Sequence, residues 1–386
     1  IGRPVLICAL IRGPPLDNNA RNQMQTQAAS ARASTRKPKY LLLEDGTAFS
    51  GFAFGAEASV SGEVVFNTGM VGYPESFTDP SYRAQILALT YPLIGNYGVP
   101  ADFDRELSHA YESTQVHIAG LVVSEYSEYH HHWTARRGLS DLLMDEGIPG
   151  VEGVDTRALA RRLRERGTMA GIITDDRSAA AGALPARHFV SEVSVKEPTS
   201  YGEGKRRVAV VDCGCKNTII RSLLKRGLGV VRVPWDYDAT RLDVGGVLFS
   251  NGPGDPTDCA ATIETARKVV EAGIPAFGIC LGNQMLALAM GAKTFKLKFG
   301  HRGQNQPCLL SGSGRCFITS QNHGYAVDLS TLPAGLEPWF TNLNDGTNEG
   351  LRHASKPVMS VQFHPEAMPG PVDTGFLFDE FAAMVK

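Results

Sequence analysis

The chain has 386 residues, of which 43% are hydrophobic and 20% are charged, and its formal net charge is −2 at pH 7. A chain of this length has room for two or three domains, and the composition is that of an ordinary soluble globular protein. The small net charge argues against a polyanionic partner, and no apolar run approaches the ~20 residues that cross a bilayer. We therefore expect neither nucleic-acid nor membrane binding.

Residues 1–38 differ in composition from the rest of the chain. They contain five arginines and several serines and alanines, but a single acidic residue, Asp17. An arginine-rich, acid-poor leader is typical of an organelle transit peptide. The leader predicts a mitochondrial matrix protein; a disordered leader on a cytoplasmic protein is the alternative.

Residues 39–195 contain short β segments and helices without a regular βαβ alternation. Two alternating apolar stretches flank the dipeptide Asp45-Gly46, which predicts a β-hairpin. The stretches 134–147 and 155–167 have helical periodicity and end at glycine, as helices commonly do. We expect a small mixed α/β domain in this part of the chain.

Residues 196–206 close a region rich in Ser, Ala, Pro and Gly, and this composition predicts a linker. From residue 207 onward, strands that are apolar throughout alternate with amphipathic helices. This alternation predicts a doubly wound, mostly parallel sheet covered by helices on both faces. Residues 207–386 are therefore expected to form the second domain, with its ligand site beyond the carboxyl ends of the strands.

Cys280 lies where an apolar strand gives way to a helix, in the stretch FGICLGNQM. Glycines two residues away on either side allow a tight turn, as in the nucleophile elbow of α/β hydrolases. The N-terminus of the following helix favours a thiolate. The alternative is a core cysteine, because free cysteines are often buried.

The other six cysteines lack this setting. An odd number of cysteines with irregular spacing argues against a disulfide framework, and the pair in DCGC lacks the spacing of a zinc knuckle. We therefore predict reduced thiols and no metal site.

A cysteine nucleophile needs a base and a group that orients the base. His364 ends an apolar strand, and Glu366 lies two residues on, on the same side of an extended chain. The sequence therefore predicts a triad of Cys280, His364 and Glu366. The N–H groups of Leu281 and Gly252 are the expected donors of an oxyanion hole.

The motifs NGPGDP, GICLGNQ and FHPE occur in that order and resemble a class I (triad-type) glutamine amidotransferase domain. The stretches LEDGTAFSGFAFG, GEVVFNTGMVGYPE and GVDTRALARRLRE resemble the amino-terminal domain of the carbamoyl-phosphate synthetase small (glutaminase) subunit. FGHRGQNQP, QNHGYAVD and HPEAMPGP resemble its second half. The resemblance covers about residues 39–386, and HRGQNQP resembles the eukaryotic versions that are fused to the synthetase.

The resemblance implies that Cys280 attacks the side-chain amide of L-glutamine, with His364 as base and then acid and Glu366 as its orienter. It also implies that the first domain reaches the site through Ser81. The glutamine-binding positions of the family fall on Ser81, Gly252, Gly254, Leu281, Gln284, Asn322, Gly324 and Tyr325.

The resemblance further implies that the released ammonia passes to a synthetase partner, either a large subunit or a fused domain. ATP, Mg²⁺ and bicarbonate are expected on that partner, and no cofactor is expected on this chain. The carbamoyl phosphate formed would serve arginine, urea or pyrimidine synthesis. Two alternatives are a glutaminase of another class I amidotransferase and a catalytically silent scaffold that regulates the synthetase.

Overall fold

The computed structural model describes residues 36–101, 103 and 106–386. The predicted targeting leader lies almost entirely outside the described residues. Residues Lys39–Lys386 form one compact unit. Of the helices in the described ranges, none is long and apolar enough to cross a membrane.

The first half of this unit is built on a closed β-barrel. Its elements in chain order are β1 (Pro38–Leu43), β2 (Ala48–Gly55), β3 (Val60–Asn67), α1 (Tyr73–Phe77), β4 (Gln85–Leu89), β5 (Leu93–Ile94), β6 (Val99–Pro100), β7 (Gly120–Val122), β8 (Glu125–Tyr126), β9 (Ala135–Arg137), α2 (Leu139–Asp145), β10 (Pro149–Glu152), α3 (Thr156–Arg166) and β11 (Met169–Thr174).

The barrel strands follow the order β1-β11-β3-β4-β7-β10-β2, and β3, β4, β7 and β10 run parallel. The predicted hairpin between β1 and β2 is confirmed, and its turn places Gly46 at φ +82°, where glycine is favoured. The helix predicted over 155–167 is confirmed as α3, capped by the carboxylate of Asp155. The helix predicted over 134–147 is shorter than expected, because Ala135–Arg137 pairs with β6 as a strand.

The second half of the unit alternates strands and helices. Its elements are α4 (Phe189–Val193), β12 (Thr199–Tyr201), β13 (Arg207–Asp212), α5 (Asn217–Leu224), β14 (Gly229–Pro234), β15 (Gly246–Phe249), α6 (Ala260–Glu271), β16 (Ala276–Ile279), α7 (Leu281–Ala289), β17 (Lys293–Leu310), β18 (Cys316–Asp328), β19 (Leu336–Asn342), β20 (Asn348–His353), β21 (Val358–Val361) and α8 (Phe376–Met384).

These strands form one sheet in the order β12-β14-β13-β15-β16-β21-β20-β19-β17-β18. The run from β14 to β21 is parallel, which confirms the predicted doubly wound sheet. Two buried apolar clusters, one built around α5 and α8 and the other around α6 and α7, cover these parallel strands. Their carboxyl ends therefore share one edge, where the predicted site loops lie.

The linker predicted over 196–206 is wrong in part. Thr199–Tyr201 forms β12, which pairs antiparallel with β14 at the edge of the sheet. Thr and Tyr favour strands, and the open edge of β14 offers them backbone partners. The segment is therefore anchored to the second half of the unit.

Candidate active site

The turn at Cys280 has the strained backbone expected of a nucleophile elbow. Cys280 follows β16 directly, with φ +56° and ψ −104°, and α7 begins at the next residue. A Cβ on Gly282 would lie 2.1 Å from the backbone oxygen of Phe249, and one on Gly278 would lie 2.5 Å from that of Gly282. The turn is therefore tight enough to require both glycines, as the sequence predicts.

The Cys280 thiol is buried but borders a cavity, unlike the thiols of the core. Cys280 is 2% exposed, and its Sγ lies 3.7 Å from the backbone oxygen of Asn322. Burial raises the pKa of the thiols of four other cysteines, which suits inert core residues. Those four are Cys213, Cys215, Cys259 and Cys308.

His364 and Glu366 meet beyond the end of β21, as predicted. The Nδ1 of His364 lies 2.6 Å from Oε1 of Glu366, and both side chains are buried. A bond from Nδ1–H to this carboxylate fixes the tautomer and leaves Nε2 for the thiol. Within the described part of the chain, Nε2 has no hydrogen bond of ordinary geometry.

The surroundings of His364 make it a strong base. Burial lowers the pKa of the imidazole, but the charge of Glu366 and the nearby Cys280 thiol outweigh burial, so the net pKa is raised. A raised pKa suits a base that takes the proton of a neighbouring nucleophile.

Lys216 is a further member of this group that the sequence did not reveal. It follows β13 at the same sheet edge, is 3% exposed, and places its Nζ 3.0 Å from Oε1 of Glu366 and 2.6 Å from the oxygen of Ala367. Burial raises the pKa of Glu366, but the charges of Lys216 and His364 lower it overall, to about 2. Glu366 is therefore held ionised beside the imidazole.

The two predicted oxyanion donors lie beside the elbow. Leu281 is the first residue of α7, where backbone N–H groups lack partners within the helix. Gly252 packs so closely that a Cβ there would lie 2.0 Å from the oxygen of Cys213 and 2.9 Å from the side chain of Leu281. Both residues border the same cavity as Cys280.

That cavity has a volume of about 640 Å³ and lies between the barrel and the second sheet. Its polar lining from the second half includes the side chain of Gln284, whose Nε2 donates to the oxygen of Tyr325 at 2.9 Å. From the barrel side, Ser81 accepts a hydrogen bond at 3.0 Å from Nδ2 of Asn251. Every predicted glutamine-binding residue borders the cavity: Ser81, Gly252, Gly254, Leu281, Gln284, Asn322, Gly324 and Tyr325.

The cavity also presents charges of both signs. Glu63 pairs with Lys296 at 2.9 Å and accepts from Thr168 at 2.8 Å. Arg302 is 7% exposed and makes no ion pair with the described carboxylates, and its Nε has no partner among the described residues. Such a lining suits a small molecule that carries both a carboxylate and an ammonium group.

Among the described residues, one group has the spacing of metal ligands: His301, His323 and Glu349. Both ring nitrogens of His301 already contact carboxylates, Asp345 at 2.9 Å and Glu349 at 3.3 Å. His323 directs its Nδ1 to the oxygen of Tyr325 at 2.8 Å. Both ring nitrogens of His301 and Nδ1 of His323 are thus already engaged by groups of the chain.

Two family models match the chain. The model of the class-I glutamine amidotransferases matches residues 209–384. The model of the carbamoyl-phosphate synthase small chain, CPSase domain, matches residues 41–173. The first match covers the parallel sheet with Cys280, His364 and Glu366, and the second covers the barrel.

Two relatives agree with these matches. A carbamoyl phosphate synthase arginine-specific small chain from Aspergillus fumigatus is 50% identical over 89% of this chain and 79% of its own length. The multifunctional protein CAD of Squalus acanthias is 52% identical over 88% of this chain but only 16% of its own length. The chain thus spans about a sixth of such multifunctional relatives. A glutamine amidotransferase of known structure from Thermotoga maritima is 18% identical, with a TM-score of 0.35 over 42% of this chain and 77% of its own.

Proposed function

The chain belongs to the carbamoyl-phosphate synthase small-chain family, and on this premise we propose that it is the glutaminase component of a glutamine-dependent carbamoyl-phosphate synthase. It hydrolyses L-glutamine to glutamate and delivers ammonia to a synthetase partner. The observation that carries the proposal is the strained elbow of Cys280, backed by the His364–Glu366 pair and open to a cavity with a mixed-charge lining.

The reaction follows from the positions of these groups. The Cys280 thiolate attacks the side-chain carbonyl carbon of glutamine, and the N–H groups of Leu281 and Gly252 stabilise the oxyanion. His364, protonated at Nε2 by the thiol, gives that proton to the leaving nitrogen, and ammonia departs from a γ-glutamyl thioester. His364 then takes a proton from water, which attacks the thioester carbon; the C–S bond breaks, glutamate leaves, and His364 returns the proton to the sulfur of Cys280.

The cavity lining supports an amino acid as substrate. Glutamine carries an α-carboxylate and an α-ammonium, and the lining contains both cations, such as Arg302, and carboxylates, such as Asp255. Ser81 and Gln284 add neutral donors and acceptors to the lining. These groups bind and orient the substrate so that its side-chain amide faces Cys280.

The partner supplies the remaining chemistry. Making carbamoyl phosphate from ammonia and bicarbonate requires ATP with Mg²⁺, which we assign to a large subunit or to a fused synthetase domain. Relatives of both kinds support this proposal, since one is named a separate small chain and the other a multifunctional protein. The product would enter arginine or pyrimidine synthesis.

The decisive experiment replaces Cys280 in the full-length protein with its synthetase partner present. Cys280→Ser is expected to abolish glutamine-dependent carbamoyl phosphate synthesis and glutamate release while leaving ammonia-dependent synthesis intact. The matched control is Cys316→Ser, because Cys316 is the exposed thiol among the described cysteines. If glutamine-dependent synthesis survives in Cys280→Ser, Cys280 is not the nucleophile. A wild-type protein without glutaminase activity would support the scaffold alternative.

We also propose the mitochondrial matrix as the location of the protein, on the arginine-rich composition of residues 1–38. A fluorescent reporter fused behind residues 1–40 should enter mitochondria, whereas a diffuse cytosolic signal contradicts this location.

A further inference from the structure

Asp79 is a buried carboxylate of the first half that faces the active site in the second half. It precedes the short 3₁₀ turn Pro80–Tyr82 and is 5% exposed. Its Oδ1 accepts from the backbone N–H of Ser81 at 2.9 Å and from Nδ2 of Asn251 at 3.3 Å. Its Oδ2 accepts from Nδ2 of Asn322 at 3.0 Å. The carboxylate thus holds two asparagines of the other half.

The bond to Asn322 leads to the nucleophile. Asn322 lies on β18, and its backbone oxygen is the acceptor that faces the Cys280 thiol at 3.7 Å. Because the side chain of Asn322 is tied to Asp79, the position of this backbone oxygen depends on the same carboxylate. Asp79 therefore helps to position the backbone oxygen that contacts the Cys280 thiol.

The bond to Asn251 leads to the base. Asn251 directly precedes Gly252, and while its Nδ2 donates to Asp79, its Oδ1 accepts from the backbone N–H of Lys216 at 3.2 Å. Lys216 in turn holds Glu366, which orients His364. The two ends of the Asn251 amide therefore connect Asp79 to the base side of the triad.

We propose that Asp79 is a positioning residue that holds the nucleophile and the base of the glutaminase in register. This inference rests on the proposed function, since it concerns the same triad. A carboxylate only accepts hydrogen bonds, so it requires both asparagine amides to turn their NH₂ groups toward it. An amide at position 79 has one accepting oxygen, and its own NH₂ would face a second donor at either Asn251 or Asn322.

The test compares Asp79→Asn with the wild type in the full-length protein. The readout is the rate at which iodoacetamide alkylates Cys280 at neutral pH, measured by peptide mass spectrometry. We expect the rate to fall about 10- to 100-fold, as the loss of a buried hydrogen bond to a charged group implies. We also expect kcat for glutamine to fall more than KM rises. A wild-type rate in Asp79→Asn overturns the inference.

The matched control is Asp328→Asn. Asp328 caps a similar 3₁₀ turn by accepting from the N–H of Ser330 at 3.0 Å, but it is only partly buried and lies at the far end of β18. A surface cap of this kind should leave the alkylation rate within about twofold of the wild type. An equal loss in both variants would mean that any capping change slows Cys280, which overturns a specific role for Asp79.

A double variant that exchanges the carboxylate and the amide separates an effect on positioning from an effect on folding. In Asp79→Asn with Asn322→Asp, the new amide donates to the new carboxylate, so the rate should recover most of its loss. A double variant as slow as Asp79→Asn overturns the inference. If Asp79→Asn does not fold, Asn322→Ala breaks the same bond from the other side, and a wild-type alkylation rate in that folded variant also overturns it.

The alkylation assay does not require turnover of glutamine. A wild-type protein that releases no glutamate therefore rejects the proposed function, while the alkylation rates still decide the role of Asp79.

Discussion

Lys216→Met removes the cation that faces the orienting carboxylate of the triad. Lys216 is 3% exposed, and its Nζ lies 3.0 Å from Glu366. Removing one partner of a buried ion pair costs about 3–5 kcal/mol. Because His364 remains beside Glu366 at 2.6 Å, we expect the lower end, about 3 kcal/mol of unfolding free energy. An unfolding entropy of about 2.1 cal/mol/K per residue over roughly 350 residues converts this loss into a fall in Tm of about 4 °C.

The loss should depend on pH in a defined direction. Burial lowers the pKa of Lys216, but the charges of Glu366 and Glu112 raise it overall above its ordinary 10.5. Because the pKa of Lys216 is raised on folding, its charge contributes fully to the stability of the folded protein below pH 10.5. This contribution is lost as the pH rises above 10.5 and through the raised pKa. The pKa of Glu366 is lowered from 4.5 to about 2, so its contribution is present above 4.5 and is lost as the pH falls toward 2. The difference between variant and wild type should therefore be constant around neutral pH and shrink in acid and in strong base.

Denaturant unfolding followed by fluorescence, repeated at several pH values, measures this difference. The control is Lys225→Met, because Lys225 is exposed just after α5 and its replacement should change the unfolding free energy by no more than about 0.5 kcal/mol. The reasoning fails if Lys216→Met is as stable as the control variant. It also fails if the loss is the same at pH 3 as at neutral pH.

Three further predictions concern the elbow and its base. Gly282→Ala should lower the unfolding free energy by about 1–3 kcal/mol, because the new Cβ would lie 2.1 Å from a backbone oxygen of β15. A variant that unfolds in denaturant at the same midpoint as the wild type would contradict this prediction. Cys280→Gly should be about 1 kcal/mol more stable than Cys280→Ala, because φ +56° with ψ −104° strains any residue that has a Cβ. A glycine variant that is less stable than the alanine variant would show that this backbone is not strained. Neither variant should release glutamate. Glu366→Gln should lower the pKa of His364 and move the alkaline limb of the kcat profile to lower pH, so an unmoved limb argues against His364 as the acid that protonates the leaving nitrogen.

That Cys280, His364 and Glu366 lie together could be predicted from the sequence because the signals are local. Cys280 is flanked by glycines at a strand-to-helix junction, and His364 and Glu366 stand two residues apart at the end of an apolar strand. Parallel strands bring their carboxyl ends to one edge, so the rhythm of strands and helices was enough to bring these residues together. The glycine requirement at Gly282 was predicted on the same ground.

Lys216 could not be predicted, because nothing local distinguishes it from a solvated lysine. Its neighbours Asn217 and Thr218 bond to Tyr111 and Glu112 of the first half, and its partner Glu366 lies 150 positions away in the chain. The one available signal was its place at the carboxyl edge of the sheet. The strand Thr199–Tyr201 was missed for a similar reason, since a long-range partner, β14, overrode a local composition typical of a linker.

Asp79 shows why the first half of the chain matters to chemistry performed in the second. The parallel sheet alone brings Cys280 near His364, because both follow neighbouring strands, β16 and β21. It does not fix the amide orientation of Asn322, whose side chain has two nearly isosteric ends. The Asp79 carboxylate can only accept, so it removes that ambiguity, and it gives a further acceptor to the Asn251 amide that Lys216 already orients. The first half of the chain therefore contributes more than one wall of the cavity, because its carboxylate sets the hydrogen bonding of an asparagine whose backbone oxygen contacts the Cys280 thiol.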